Sequence, residues 1–150
     1  MQLSSLLQSL VATGDSFAST VLRLALGFMI LPHGLQKTLG WFGGYGFKGT
    51  MGYLTGQVGA PWIFALLAIL AESIGGLMLI TGFGTRVAAL GVGGVMAVAA
   101  TMHWSNGFFM NWTGAQKGEG VEFHLLALGM VATLLILGGG KWSVDSLFHR

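Results

Sequence analysis

The sequence has 150 residues, of which 53% are apolar and 8% are charged, and its formal net charge at neutral pH is +2. Soluble domains carry about 25% charged residues, so this composition indicates a single small membrane domain over residues 1–150. The weak positive charge, without a basic run interleaved with aromatic residues, argues against nucleic-acid binding. The absence of cysteine excludes disulfides, thiol catalysis, thiolate zinc sites and cysteine-held iron–sulfur clusters.

An amphipathic helix is predicted over residues 1–14, because apolar side chains recur there at helical spacing in an otherwise polar segment. These side chains are Leu3, Leu6, Leu7, Leu10 and Val11. We expect the helix to lie in the membrane interface and to be retained, since no basic residue precedes Arg23 as in a secretory signal. Asp15 or Ser16, in the turn that follows, is expected to cap the first spanning helix.

Four apolar segments approach the ~20 residues that a helix needs to cross the hydrocarbon core of a bilayer. They cover residues 19–36, 61–81, 85–101 and 121–138. The turn between the second and third segments is so short that these two must be antiparallel neighbours. The sequence therefore predicts an all-α fold, an antiparallel bundle of four transmembrane helices preceded by the short amphipathic interfacial helix.

Small residues and aromatic residues are distributed differently along this pattern. Several glycines fall within the spans or at their ends, where they are expected to let helices pack closely. These are Gly75, Gly76, Gly82, Gly91, Gly93 and Gly94. The two longer connections are rich in aromatic residues, which either form an interfacial belt or cover a pocket. They are Trp41, Phe42, Tyr45, Phe47, Tyr53, Trp104, Phe108, Phe109 and Trp112.

Five ionisable residues fall in one membrane leaflet if the spans alternate up and down. They are His33, Lys37, His103, Glu122 and His124. Ionisable groups at membrane depth are costly and usually face a bundle interior, a cavity or one another, so this layer is the predicted functional site. Lys and Arg are almost evenly divided between the two sides, and Arg23 favours both termini in the cytoplasm.

An ion-pair interpretation competes with a functional one for some of these residues. Glu72 can pair with Arg23 or Arg86, and Glu122 can pair with Lys37. Such pairs would stabilise the bundle and catalyse nothing. We expect this structural role for the two arginines and a functional role for His33, His103 and Glu122.

Several motifs resemble the DoxX family in their order and spacing. They are LRLALG at 22–27, HGLQK at 33–37, ESIGG at 72–76, LITG at 79–82, TR at 85–86, His103, EF at 122–123 and LGGGKWSVD at 137–145. The resemblance covers nearly everything after the amino-terminal helix. The chain departs from the family pattern in having Gly139 where proline is common and His124 beside the glutamate.

The resemblance implies a four-helix protein of the bacterial inner membrane. Relatives of this kind are associated with quinone-linked thiosulfate oxidation and with oxidative or quinone stress. The implied partners are membrane lipid, quinone and a redox enzyme subunit, and the chain would bind quinone or pass reducing equivalents to the quinone pool as part of an oxidoreductase. A homo-oligomer would also be unsurprising for such a small bundle.

The residues can be assigned to this chemistry. A quinone in the bilayer needs hydrogen-bonding partners at its carbonyl oxygens, and it needs protons when it is reduced. The predicted catalytic residues are Glu72, Glu122 and Lys37, which relay a proton or pair with a carboxylate. The predicted cofactor-binding residues are His33, His103, His124 and Arg86.

Other interpretations remain open at this point. His33 with His103 or His124 can serve as the axial ligands of a haem b. A metal site is disfavoured, because Glu122 and His124 are two residues apart and so roughly 200° apart on a helix. A different class of function is a membrane anchor for a soluble enzyme, or a small-molecule transporter.

Overall fold

The computed structural model describes residues 8–148, and within residues 12–148 the chain forms five α-helices and no β-strand. The helices are α1 (Phe17–Thr38), α2 (Gly46–Gly52), α3 (Trp62–Thr81), α4 (Thr85–His103) and α5 (Glu122–Leu137). A π-helical turn, Tyr53–Gln57, follows α2. Residues 8–11 are helical as well, whereas residues 1–7 of the predicted amphipathic helix lie outside the described residues.

Three of these helices are long and apolar enough to cross a membrane. They are α1, α3 and α4, the last with its 3₁₀ extension to Asn106. The fourth predicted span corresponds to α5, which has 16 residues and a length of about 24 Å at 1.5 Å per residue. Helix length within the described residues therefore supports three spans rather than the four that the sequence predicts.

The long helices form a closed bundle in which each packs on the next. α1 lies along α3, α3 packs against α4, α4 against α5, and α5 returns to α1. Gly82 and Gly84, both left-handed, end α3 and precede α4. The short turn confirms the predicted antiparallel arrangement of α3 and α4. The predicted cap of α1 is also confirmed, because Ser16 Oγ accepts a hydrogen bond from the Ser19 amide at 3.2 Å.

A buried network closes the end of the bundle that carries the amino-terminal turn and the carboxyl-terminal segment. Arg23, 2% exposed, donates hydrogen bonds to four carbonyl oxygens, those of Leu79, Ile80, Gly139 and Trp142. The Asp145 carboxylate accepts from the amides of Gly84 and Thr85 at 2.7 and 2.9 Å, which caps the start of α4. Arg23 is thus a structural residue, as predicted, although its partners are carbonyls rather than Glu72.

Glycines at the helix contacts have unequal roles. A Cβ atom added to Gly76 would lie 3.1 Å from the Leu31 backbone, and one added to Gly93 would lie 2.8 Å from the Val131 side chain. Both therefore pack as predicted. Gly94, in contrast, has no other atom within 4 Å of a Cβ at its position, so it is not a packing residue here.

Replacing Gly34 with alanine is expected to destabilise the protein by about 2 kcal/mol, because overpacking a close helix contact costs about 1–3 kcal/mol. The added Cβ would lie 2.5 Å from the backbone of Glu72 and Ser73. Thermal unfolding in detergent, followed by intrinsic tryptophan fluorescence, measures the change. Gly94→Ala is the matched control, and it should be neutral or slightly stabilising. Equal unfolding temperatures for the two variants would contradict the close contact at Gly34.

Candidate functional site

The one ion pair among residues 8–148 joins the last turn of α1 to the middle of α3. Lys37 Nζ donates a hydrogen bond to Glu72 Oε2. The Glu72 side chain is 5% exposed and that of Lys37 is 27% exposed, so the pair extends from the helix contact toward the surface. A buried carboxylate needs such a partner, because leaving one charge of a buried pair alone costs several kcal/mol.

The helix crossing at Gly34 places Lys37 beside Glu72. α1 approaches the backbone of Ser73 closely at Gly34. Lys37 follows three residues later and so lies on the same face of α1. The Ser73 hydroxyl donates to the Ile69 carbonyl oxygen at 2.6 Å, within α3, and does not compete with Lys37 for the carboxylate.

An open pocket of about 260 Å³ lies beside Lys37. Its lining comes from the end of α1, the turn before α2, α2 itself and the π-helical turn, namely Gln36, Lys37, Gly43, Gly44, Tyr45, Thr50, Tyr53 and Leu54. A side chain at Gly44 would overlap the backbone of Gln36, so the turn is pressed against α1 there. Tyr53 begins the π-helical turn, and turns of this kind occur frequently at functional sites. The lining offers an ammonium group, two phenols, a hydroxyl and an amide in one opening.

A second group of predicted residues meets where α4 ends and α5 begins. The rings of His103 and His124 stack with centroids 5.1 Å apart and an interplanar angle of 22°. His124 is 7% exposed, and its Nδ1 atom has no hydrogen-bond partner among the described residues. The prediction that these two histidines share one layer of the bundle agrees with this contact.

Glu122 organises the connection between α4 and α5. Its Oε1 atom accepts hydrogen bonds from the Met110 amide at 3.0 Å and from the Trp112 indole at 3.1 Å. The loop over residues 107–121 is therefore held against the start of α5. Glu122 does not pair with Lys37, and the predicted pair is wrong because Lys37 is taken by Glu72.

Two predicted site residues lie apart from these groups. His33 is exposed on α1, on the turn before Lys37. Arg86, at the start of α4, donates to the carbonyl oxygens of Ser9 and Ile136 at 2.6 and 2.9 Å. The predicted pairing of Glu72 with Arg23 or Arg86 is wrong, since both arginines donate to carbonyl oxygens and Glu72 pairs with Lys37. The single predicted layer is thus divided into an ion pair, a histidine stack and separate residues.

Sequence reasoning did not assign a site role to Tyr45, Thr50 or Tyr53, which line the pocket. Their one signal in the sequence is the aromatic content of the first long connection, which is compatible with either an interfacial belt or a pocket cover. The sequence marks Gly34 only by its place in the HGLQK motif. Its importance comes from the helix crossing, which no local pattern reveals.

The histidines do not fit a haem. Axial ligation needs two imidazoles on opposite faces of the macrocycle, whereas the rings of His103 and His124 are stacked on each other and His33 is exposed on another helix. In the part of the chain that the structure describes, no three metal-ligating side chains converge either.

Comparison with known proteins places this architecture in a family. The sequence pattern of the DoxX family matches residues 18–104, more than half of the chain. The chain belongs to the DoxX family. "Inner membrane protein YqjF" of Escherichia coli strain K12 is 32% identical to it over 118 residues, which are 75% of this chain and 82% of that protein. No solved structure matches the chain significantly.

The DoxX match runs from the start of α1 through α4, so it contains the whole Lys37–Glu72 pair and its pocket. It ends one residue after His103, and α5 with Glu122 and His124 lies outside it. Together with the long apolar helices, the assignment makes this DoxX chain an integral membrane protein. The ion pair and its pocket therefore form the candidate site that lies within the family's matched region.

Proposed function

We propose that this DoxX protein binds the head group of a quinone in the pocket beside Lys37 and acts with a partner redox enzyme in a bacterial inner membrane. The observation that carries the proposal is the Lys37–Glu72 ion pair, whose cation opens onto a pocket lined by two tyrosines. The inner-membrane relative supports the location. A quinone-linked role is also what the resemblance to the DoxX family implies.

The residues of the pocket match the groups of a quinone head. When bound, a quinone accepts electrons and protons at its two carbonyl oxygens. The Lys37 ammonium has three N–H donors, of which Glu72 uses one, so two remain for a carbonyl oxygen. Tyr45 and Tyr53 add hydroxyl donors. A volume of about 260 Å³ accommodates a single substituted ring, while the open side leaves an apolar tail to the lipid.

Protons and electrons have different sources in this scheme. Lys37 can deliver one proton from Nζ to an oxygen in the pocket, which leaves a neutral amine beside the Glu72 carboxylate. Solvent reaching the open side of the pocket then returns a proton to Nζ and supplies the second proton that reduction of both carbonyl oxygens needs. The chain has no cysteine to hold an iron–sulfur cluster, and the three histidines among residues 8–148 do not fit a haem. Electrons are therefore supplied by a partner protein, for which the exposed aromatic loops offer a contact surface.

Quinone binding is tested by titrating the purified protein with a short-chain ubiquinone and following quenching of tryptophan fluorescence. Lys37→Met is expected to weaken binding about tenfold, since a hydrogen bond from a charged donor contributes about 1.5–3 kcal/mol. Tyr53→Phe, which removes a neutral donor, is expected to weaken binding severalfold. Lys117→Met, at an exposed loop lysine, is the control. Because Lys37→Met is expected to reduce stability, the Lys37→Met/Glu72→Met double variant is titrated beside it. Unchanged affinity in Tyr53→Phe and in the double variant would overturn the site.

A non-catalytic membrane anchor is the second candidate function, and the exposed aromatic side chains of the connections favour it. Among them, Trp41, Phe42, Tyr45, Phe109 and Trp112 are more than half exposed. An anchor retains its partner enzyme when the pocket is altered. Two results together would favour the anchor. The wild type would bind no quinone, and the partner would still co-purify with the Lys37→Met/Glu72→Met variant.

We further propose that α5 forms a fourth span and that both termini lie in the cytoplasm. The α5 helix is apolar, and a short span is accommodated by local thinning of the bilayer. Residues 13–20 and 138–145 are joined by hydrogen bonds and so lie at one end of the bundle. Because the chain has no cysteine, single cysteines report topology directly. Membrane-impermeant maleimide should label Gln116→Cys but not Ser146→Cys in whole cells.

A further inference from the structure

A second open cavity, of about 560 Å³, lies at the end of the bundle opposite the ion-pair pocket. The turn before α1 and the segment after α5 form its walls. Hydrogen bonds from Thr20 to the Lys141 carbonyl oxygen and from Arg23 to the Trp142 carbonyl oxygen fix the second wall to α1. The cavity wall is therefore held by part-buried hydrogen bonds, and the proposed quinone chemistry does not use the cavity.

The cavity carries one anion and one cation. Asp15 and Lys141 both line it, and both are exposed. They do not pair with each other, since among residues 8–148 the only ion pair is that of Lys37 and Glu72. The Lys141 ammonium lies 5.9 Å from the centroid of the Trp142 ring. Such a pair of separated charges suits a ligand that itself carries a cation and an anion.

The surroundings place the cavity at a membrane surface. Trp142, 69% exposed, packs edge-on against Phe17, the first residue of α1, with ring centroids 5.7 Å apart. Leu147, which also lines the cavity, is exposed as well. Trp and other amphipathic aromatic side chains concentrate at the level of lipid head groups. A ligand here meets a polar cavity and an apolar rim together, as a phospholipid requires.

The backbone at Trp142 is held in a rare conformation. Its φ angle is 61°, in the left-handed region that non-glycine residues seldom adopt. Strain of this kind costs of order 1–3 kcal/mol and persists where the surrounding structure imposes it, often at a ligand site. The strained residue and its neighbour Lys141 both line the cavity.

We propose that this cavity binds the head group of an aminophospholipid such as phosphatidylethanolamine. Lys141 holds the phosphate, since its ammonium has three N–H donors and forms no ion pair among residues 8–148. Asp15 holds the primary ammonium, and the acyl chains lie along Phe17 and Trp142. Anionic lipids without an ammonium group are disfavoured, because their phosphate would attract Lys141 but leave the Asp15 carboxylate facing a negative charge.

The proposal is tested by native mass spectrometry of the delipidated protein, titrated with phosphatidylethanolamine, phosphatidylcholine or phosphatidylglycerol of identical acyl chains. Wild type should retain phosphatidylethanolamine at least about threefold more tightly than phosphatidylglycerol. Lys141→Gln should weaken all three lipids, whereas Asp15→Asn should remove the preference for phosphatidylethanolamine without weakening phosphatidylglycerol. Lys48→Gln, at an exposed lysine of α2, is the control.

Two results would overturn this site. One is equal retention of phosphatidylethanolamine and phosphatidylglycerol by the wild type. The other is a pair of variants, Lys141→Gln and Asp15→Asn, that behave like Lys48→Gln. Free glycerophosphoethanolamine carries the same head group without acyl chains. Tight binding of this soluble compound would identify the ligand as a metabolite rather than a lipid. Both variants alter exposed side chains, so unfolding temperatures close to that of wild type are expected.

Discussion

Replacing Lys37 with methionine is expected to destabilise the protein by about 3 kcal/mol, since Glu72 would be left as a buried charge without a partner. The value lies at the low end for a broken buried pair because Lys37 is 27% exposed and water reaches that side. Unfolding in detergent at increasing temperature or denaturant measures the loss. Lys117→Met, which removes a lysine of the same charge from an exposed loop, should leave stability within about 0.5 kcal/mol of wild type.

A double variant distinguishes a broken pair from simple loss of packing. Lys37→Met/Glu72→Met removes both charges and should recover most of the stability lost by Lys37→Met alone, because apolar replacement of a buried pair is often neutral or stabilising. In a double-mutant cycle, the two substitutions should therefore be strongly non-additive. Additive losses would show that Lys37 and Glu72 act independently.

Replacing Arg23 with methionine is expected to cost at least about 3 kcal/mol. Four carbonyl oxygens would lose their donor, and each buried polar group left unsatisfied costs about 1–3 kcal/mol. Arg23→Lys should recover only part of the loss, because an ammonium is a compact donor that cannot reproduce the planar fork of a guanidinium. Arg86→Met, which removes two hydrogen bonds in an exposed setting, is the matched control and should cost much less.

The Arg23 variant should also loosen one region more than others. Two of the four carbonyls belong to Gly139 and Trp142, so the segment after α5 loses two of the hydrogen bonds that attach it to α1. Limited proteolysis should cut residues 138–148 faster in Arg23→Met than in wild type, whereas the loop at residues 107–121 should be cut at an unchanged rate. Wild-type stability of Arg23→Lys, or uniform proteolysis, would contradict this role.

The positions of the helices could be read from the chain because they depend on local properties. Apolar runs of the right length, the capping Ser16 and the glycine turn at residues 81–85 specify where helices begin and end. The observed bounds differ from the predicted ones by two residues at most in α1, α3, α4 and α5. The weakest prediction was the fourth span, since α5 is short for a membrane helix.

The rotation of each helix about its axis could not be read from the sequence. In a membrane protein the side that faces lipid is as apolar as the side that faces the bundle, so the pattern of apolar residues does not select an inner face. His33 and Lys37 are four residues apart and were assigned to one site. The close approach at Gly34 turns Lys37 to Glu72, while His33 remains exposed.

By itself, the sequence determined the membrane class, the all-α fold, the helix bounds and the exclusion of cysteine chemistry, because composition and local pattern suffice for each of these. Tertiary structure alone decided the pairing of Lys37 with Glu72, 35 residues apart. It also decided the use of Arg23 by carbonyls and the two cavities. These features depend on which helix backbones come into contact. The distance between two helices is set by packing around glycines such as Gly34, not by residues that are neighbours in the chain.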